Sequence, residues 1–153
     1  MLRTRLTTGY GIARPLVSAG MGFIAMPPLA AAVSNAGGLG FIAAGSAPPP
    51  ALAQMIRATR QLTSRPFGVN FIVETIAFGP LTLPEHIEIC VEEKVPIAGF
   101  FWNLPPAAWI HRLKSAGVKV WFQTGSVEDA RAAAAQGVDA IIAQGSEAGG
   151  HVR

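Results

Sequence analysis

Short apolar runs alternate with amphipathic segments along the chain. Six apolar runs have the length of β-strands and are bounded by Gly, Pro or polar residues; they cover residues 14–20, 38–45, 65–73, 95–102, 118–125 and 138–145. Five intervening segments place side chains at three- and four-residue spacing, which indicates helices with one buried face; they cover 27–37, 50–62, 83–94, 104–117 and 126–137. The pattern predicts a regular alternation of strand and helix.

Local signals support several of these helix ends. Pro50 suits a first helical turn, where the missing N–H is not needed. The hydroxyl of Ser126 can cap free N–H groups, and Asp129 is favourably placed in the same first turn. Gly117 is typical of the residue that follows a helix.

Strands that alternate with helices favour a parallel sheet with right-handed crossovers. Units of roughly 20 to 30 residues suit a TIM barrel, which takes about 250 residues in all. A doubly wound open sheet is the competing architecture, but "SAGMGF" lacks the spacing of a dinucleotide-binding loop and Pro27 opens the next helix. We therefore predict an α/β fold of the (β/α)8 TIM-barrel type, present over 1–153 as a partial barrel of about six parallel strands and five helices.

Composition narrows the classes of protein that fit. Half of the 153 residues are apolar and 14% are charged, which excludes a disordered chain. The net charge is +3, but the basic residues are scattered, so we expect no nucleic-acid partner. Glycines and prolines interrupt the richest apolar stretch, so no membrane span is expected. Cys90 cannot form an internal disulfide and is predicted to be a buried core thiol, so a cytoplasmic location is the default.

Polar residues and glycines gather where the predicted strands end. In a parallel α/β array these ends share one rim, and ligands bind there. Amides that offer donors and acceptors, with glycines that expose backbone, suit a flat heteroaromatic ring such as a flavin. Taken singly, the same amides are also ordinary turn and strand-end residues. The rim set comprises Ser18, Ala19, Gly20, Met21, Gly22, Asn70, Asn103, Gln123, Gln144 and the loop from Glu147 to His151.

Other conspicuous residues have structural interpretations. His86 and His111 lie on helix faces beside charged neighbours and are predicted to be solvated. The glycines at 37, 38 and 40 are predicted to end a helix and to allow a close strand approach. The tryptophans at 102, 109 and 121 are predicted to pack in the barrel wall or between helix and sheet. His151 differs, because it lies in a glycine-rich loop on the ligand rim beside an acidic residue.

Four segments resemble the nitronate monooxygenases, the former 2-nitropropane dioxygenases, over nearly the full chain. They are "RPLVSAGMG", "PPLAAAVSNAGGLGFIAAG", "RPFGVNFIV" and "GVDAIIAQGSEAGGH". The second and fourth, in this order and spacing, are the specific ones. The resemblance implies an FMN-dependent (β/α)8 flavoprotein, of which this chain matches the N-terminal part.

The resemblance also implies roles for the matching positions, with no metal site among them. His151 would be catalytic: it would take a proton from a nitroalkane and help to position the anionic nitronate. FMN would carry out the redox chemistry with O2, and the products would be a carbonyl compound and nitrite. The residues that would bind the cofactor are Ala19, Gly20, Met21, Gly22, Asn70, Gln123, Gln144, Gly149 and Gly150.

Two alternatives remain open from the sequence. The flavin-containing enoyl-ACP reductases carry a similar barrel, a close version of "AVSNAGGLG" and a similar loop with a glycine pair and a histidine. A non-catalytic barrel remnant that binds no flavin is the other. In such barrels, backbone after the seventh and eighth strands grips the cofactor phosphate. We therefore expect weak FMN binding and marginal stability for this chain alone, relieved by self-association or by a complementary C-terminal fragment.

Overall fold

A computed structural model describes residues 2–45 and 47–151 of the chain. The helices in this part are α1 (Arg5–Tyr10), α2 (Pro27–Asn35), α3 (Pro49–Leu62), α4 (Pro84–Glu92), α5 (Ala107–Ser115) and α6 (Val127–Ala135). The strands are β1 (Gly40–Ala43), β2 (Phe67–Val73), β3 (Thr75–Ile76), β4 (Gly79–Pro80), β5 (Ile97–Trp102), β6 (Lys119–Thr124) and β7 (Ala140–Ala143).

Five strands form one parallel sheet in the order β1-β2-β5-β6-β7. Each strand therefore pairs with the next parallel strand along the chain, and a helix makes every crossover between them. The short strands β3 and β4 pair antiparallel in a hairpin that follows the end of β2. The predicted alternation of strands and helices is confirmed, and its parallel strand order is that of a barrel wall.

The first predicted strand is the main correction. The segment 14–20 contributes a single parallel bridge, between Val17 and Leu39. The ladder begins normally, since the N–H of Leu39 donates to the carbonyl of Leu16 and the N–H of Ser18 donates to Leu39. At the next position the N–H of Phe41 donates to the Ser18 hydroxyl instead of to a carbonyl, at 2.9 Å. Because a side chain takes over the ladder bond, the strand ends there, and the described residues form a parallel sheet of five strands rather than six.

Two elements were not predicted. Helix α1 is only six residues long, and its start is capped by Thr4, whose hydroxyl accepts from the N–H of Thr7 while the Thr7 hydroxyl accepts from the N–H of Thr4. The β3–β4 hairpin carries Phe78, which is 96% exposed. Both are too short for apolar periodicity to identify.

The predicted helix signals hold. Pro50 lies in the first turn of α3, and the N–H of Asp129 donates to the Ser126 hydroxyl at the start of α6. Gly117 follows α5 with a φ of 81°, a conformation that glycine adopts without strain. A Cβ on Gly40 would lie 1.9 Å from the carbonyl oxygen of Ala30, so the close approach of strand and helix requires glycine.

Alternate side chains of the sheet enter two different cores. On the outer face they pack against the helices, with the largest contributions from Ile42, Val69, Phe71, Phe100, Val120 and Phe122. Cys90 is fully buried in this layer, as predicted, and burial raises the pKa of its thiol to about 12. On the inner face a smaller cluster packs under α1 at the amino ends of the strands; it comprises Ile12, Leu39, Phe41, Ile97 and Trp121.

A helix that crosses a bilayer needs about 20 mostly apolar residues. In the described part of the chain, no helix has both the length and the apolar character needed to cross one.

Candidate active site at the carboxyl ends of the strands

Three amide side chains belong to the inner face of the sheet, above the cluster that α1 covers. Asn70 of β2 pairs in register with Gly99, and Gln123 of β6 pairs with Phe101 on one side and Ile142 on the other. Gln144 lies two residues beyond Ile142, and its N–H continues the ladder by donating to the carbonyl of Thr124 at 2.9 Å. Since side chains two apart share a face, all three predicted amides fall on the same side of the sheet.

The floor of this site is the ring of Phe41. A Cβ on Gly68 would lie 2.4 Å from the Phe41 ring, and one on Gly99 would lie 3.1 Å from it. The ring therefore lies across two neighbouring strands that carry no side chain at these positions. It separates the amides from the Trp121 indole, whose centroid is 5.6 Å from that of Phe41.

The loop before α2 reaches the same place. A Cβ on Gly20 would lie 2.4 Å from the Cβ of Asn70, so the backbone at 20 packs directly on that side chain. Ala19, Met21 and Gly22 are exposed beside it, and a Cβ on Gly22 would meet no atom within 4 Å. The structure thus brings the predicted glycine segment to Asn70.

The amides have unused hydrogen-bonding capacity. Within residues 2–45 and 47–151, the side chains of Asn70 and Gln123 make no hydrogen bond. Gln144 donates through Nε2 to the carbonyl of His151 at 3.0 Å, but its Oε1 is buried and finds no partner in the same residues. A buried acceptor without a partner is costly, so this oxygen is suited to receive a donor from a ligand.

His151 lies beside this group on an open loop. Gly149 and Gly150 precede it, and Gly150 has a φ of 80°, which favours glycine. The imidazole is exposed, and its centroid is 5.6 Å from that of Trp102 with an angle of 65° between the rings. The acidic neighbour Glu147 accepts from the Ser146 hydroxyl rather than contacting the imidazole.

Two residues at the end of β5 differ from their sequence-based interpretation. Asn103 donates to the carbonyl of Val73 at 2.8 Å, so it braces the end of β2 instead of joining the other amides. Trp102 has a φ of 82° and packs on His151, whereas Trp109 and Trp121 do join the cores as predicted. The apolar pattern of a strand contains no signal for the left-handed turn at Trp102.

His86 was predicted to be solvated and is 2% exposed. Its Nδ1 accepts from the N–H of Leu83 at 2.9 Å, and its Nε2 lies 2.9 Å from the carbonyl of Ala47. The signal that could have identified it is its position three residues after the N-cap, where a side chain can fold back onto the first turn. His111 is exposed, as predicted.

Comparison with known proteins settles the family. The family model described as nitronate monooxygenase matches residues 3–153. The chain belongs to the nitronate monooxygenase family. A curated relative, a probable nitronate monooxygenase of Staphylococcus aureus (strain JH9), is 36% identical over 179 residues, which is 97% of this chain and 50% of that protein.

Other relatives of this family member carry different names. A 5-hydroxy-7a-methyl-1-oxo-octahydro-1H-indene-4-carboxyl-CoA dehydrogenase of Rhodococcus jostii (strain RHA1) is 39% identical over 98% of this chain and 41% of its own length. Among solved structures, FabK of Thermotoga maritima superposes with a TM-score of 0.91 at 40% identity, covering all of this chain and 47% of FabK. Nitroalkane oxidase of Streptomyces ansochromogenes gives 0.89 at 34% identity, covering 97% and 50%.

The nitronate monooxygenase-family chain spans about half the length of the proteins that it matches. Those neighbours are TIM-barrel enzymes, so the predicted fold class of a partial TIM barrel is confirmed.

Proposed function

We propose that this chain forms part of an FMN-dependent nitronate monooxygenase that oxidises alkyl nitronates or nitroalkanes with O2 to a carbonyl compound and nitrite. One observation carries the proposal. Among the residues that the structure describes, none donates to the buried Oε1 of Gln144 on the inner face, and through its Nε2 this side chain holds the backbone of His151. The side chain of Gln144 thus connects an available hydrogen-bond acceptor with the loop that carries the candidate catalytic base.

The residues present fit an isoalloxazine ring. The edge of that ring alternates carbonyl groups and N–H groups, and the amides of Asn70 and Gln123 each offer both a donor and an acceptor. Gly22 and Gly149 have open space where a Cβ would stand, so backbone at these two positions can approach a flat ligand. When bound, FMN would supply the redox chemistry with the nitronate and O2.

The contribution of the chain itself is acid–base and electrostatic. His151 carries an imidazole, the side chain that most often serves as a general base, so it can take the proton from the carbon that bears the nitro group. The protonated ring can then pair with the anionic nitronate and hold it in place. The bond from Gln144 to the His151 carbonyl limits how far this loop can move relative to β7.

A second candidate function is favoured by the name of one relative. The Rhodococcus jostii protein acts, by its name, on a carboxyl-CoA thioester. An acyl-thioester oxidoreductase would use the same rim with a larger substrate. The two functions differ in assay: one consumes O2 with an alkyl nitronate, and the other couples an acyl thioester to a nicotinamide cofactor.

The test begins with an absorption and fluorescence titration of the full chain with FMN, with its oligomeric state measured by light scattering. We expect saturable binding with a perturbed flavin spectrum. The flavin-loaded chain should then take up O2 when a nitroalkane is added. His151→Ala should lower that turnover by about 100-fold or more, the range of general-base catalysis. His111→Ala, on the exposed face of α5, is the matched control and should have no effect. A folded chain that binds no FMN, or a His151→Ala variant with full turnover, would overturn the proposal.

A further inference from the structure

The imidazole of His151 has one aromatic partner in the described part of the chain. It makes no hydrogen bond to residues 2–45 and 47–151, and its ring contact is with Trp102. The loop that carries it contains two glycines, at 149 and 150, which leave the backbone freely variable. Without a packing contact, an exposed imidazole on such a loop would populate several rotamers.

Trp102 occupies an unusual backbone conformation. It ends β5 with a φ of 82°, although a bulky side chain in this region is strained. Alternation along the strand would place its side chain with those of Ala98 and Phe100, among the helix-packed residues. The left-handed turn interrupts that alternation, and the indole lies against the His151 ring at 5.6 Å. Strain that persists at a ligand rim indicates a functional constraint.

We propose that Trp102 is a positioning residue for His151, its indole ring fixing the orientation of the imidazole at the carboxyl ends of the strands. The tilted arrangement at 65° is one that aromatic pairs favour over face-to-face stacking. Gln144 holds the backbone of His151 and Trp102 holds its ring, so the two contacts together define where the base points. The role in catalysis rests on the proposed function, whereas the positioning itself does not.

The first measurement needs no cofactor. In the NMR spectrum of the full chain, the ring current of Trp102 should displace the Cε1–H resonance of His151 from the position of the exposed His111. Trp102→Leu should return the resonance to the His111-like position, and Trp102→Phe should keep most of the displacement. Trp109→Leu removes an indole from α5 and should leave the resonance where it is. Circular dichroism checks that each variant is folded. An unchanged His151 resonance in folded Trp102→Leu would overturn the proposal.

The second measurement uses the flavin-loaded chain. Trp102→Leu should lower kcat for the nitroalkane by about 10-fold, since a misplaced base loses much of its advantage, and Trp102→Phe should retain most of it. In a His151→Ala background, Trp102→Leu should have no further effect on kcat, whereas a purely structural role would lower both backgrounds alike. An equal loss in both backgrounds would overturn the positioning role. If the resonance moves as expected but His151→Ala keeps full turnover, the proposed function fails and the positioning of the ring stands.

Discussion

The inner face of the sheet has two halves that differ in polarity and in hydrogen bonding. The lower half lies near the amino ends of the strands under α1, and the upper half lies near their carboxyl ends. Near the amino ends, Phe41 and Trp121 are 3% exposed, and the Nε1 of Trp121 donates to the hydroxyl of Tyr10 at 2.7 Å. Near the carboxyl ends, Asn70 and Gln123 are half-buried and make no side-chain hydrogen bond in the described residues. In the lower half the indole N–H of Trp121 is paired, whereas in the upper half these two amides and the Oε1 of Gln144 have no partner among the described residues.

The two halves therefore have different roles: the lower half contributes to folding stability, and the upper half is available to bind a ligand. Closed apolar packing lowers the free energy of the folded chain, and it leaves nothing for a ligand to contact. Buried amides without hydrogen-bond partners lower the folding stability, and they are tolerated where a ligand can supply the missing hydrogen bonds. A substitution in the lower half should therefore act on unfolding, and one in the upper half should act on cofactor binding.

The largest expected effect is that of Phe41→Ala. Removing a buried phenyl ring that spans two strands should lower the free energy of unfolding by about 3–5 kcal/mol, because the glycines beneath it cannot fill the cavity. Phe78→Ala, at the exposed tip of the hairpin, is the matched control and should change stability by less than about 0.5 kcal/mol. Chemical denaturation measures both. Equal effects of the two variants would show that Phe41 is not part of a closed core.

Tyr10→Phe tests the pairing in the lower half with a smaller change. The buried Nε1–H of Trp121 would lose its acceptor, which should cost about 1–3 kcal/mol of stability. In a Trp121→Phe background the same change should cost little, because the donor is already absent. A double-mutant cycle by denaturation measures this coupling, and independent effects of the two substitutions would contradict it.

Gln144→Leu tests the upper half. It removes a buried oxygen that no other described residue bonds, as well as the bond to His151, so stability should change by less than about 1 kcal/mol in either direction. FMN affinity should fall by about 10-fold, the equivalent of roughly 1.4 kcal/mol. Gln54→Leu, on the exposed face of α3, should alter neither quantity. A large loss of stability without a change in FMN affinity would reverse the assignment of the two halves.

The smallest effect concerns pH. Burial raises the pKa of Tyr10 in the folded chain, and the nearby carboxylate of Asp139 acts in the same direction, while the bond from Trp121 opposes them. A raised folded pKa favours the neutral phenol, so its contribution to stability is present below the ordinary pKa of about 10 and is lost as the pH rises through the folded value. The stability difference between wild type and Tyr10→Phe should therefore shrink above pH 10. A difference that grows with pH would contradict this sign.

The parallel strands and the helices between them could be predicted because each has an apolar face long enough to show its period; these strands are β1, β2, β5, β6 and β7. The segment 14–20 has the same composition as a strand, but the Ser18 hydroxyl replaces a ladder bond, which apolar pattern alone does not register. Helix α1 spans less than two full turns, so its local signals are limited to its ends, with the hydroxyl pair Thr4–Thr7 at the start and Gly11 after the last residue, at a φ of 66°.

The candidate site could be predicted in part for the same reason. Gln123 and Gln144 end strands, so topology alone brings them to one rim with His151. The contact of Trp102 with that histidine depends on one left-handed residue, and the burial of His86 depends on packing between α4 and the residues after β1. Both arise from contacts between segments distant in sequence, which local periodicity does not encode.

The Phe41 ring restricts which amino-acid substitutions this sequence can accept. Phe41, Gly68 and Gly99 share one volume across three strands, so an added methyl group at 68 collides with a ring that has no free space to enter. A single substitution at any of the three is therefore disfavoured, while a paired exchange such as Gly68→Ala with Phe41→Leu conserves the filled volume. Substitutions at these three positions should therefore occur together. Relatives with a smaller side chain at position 41 should carry a larger one on a neighbouring strand.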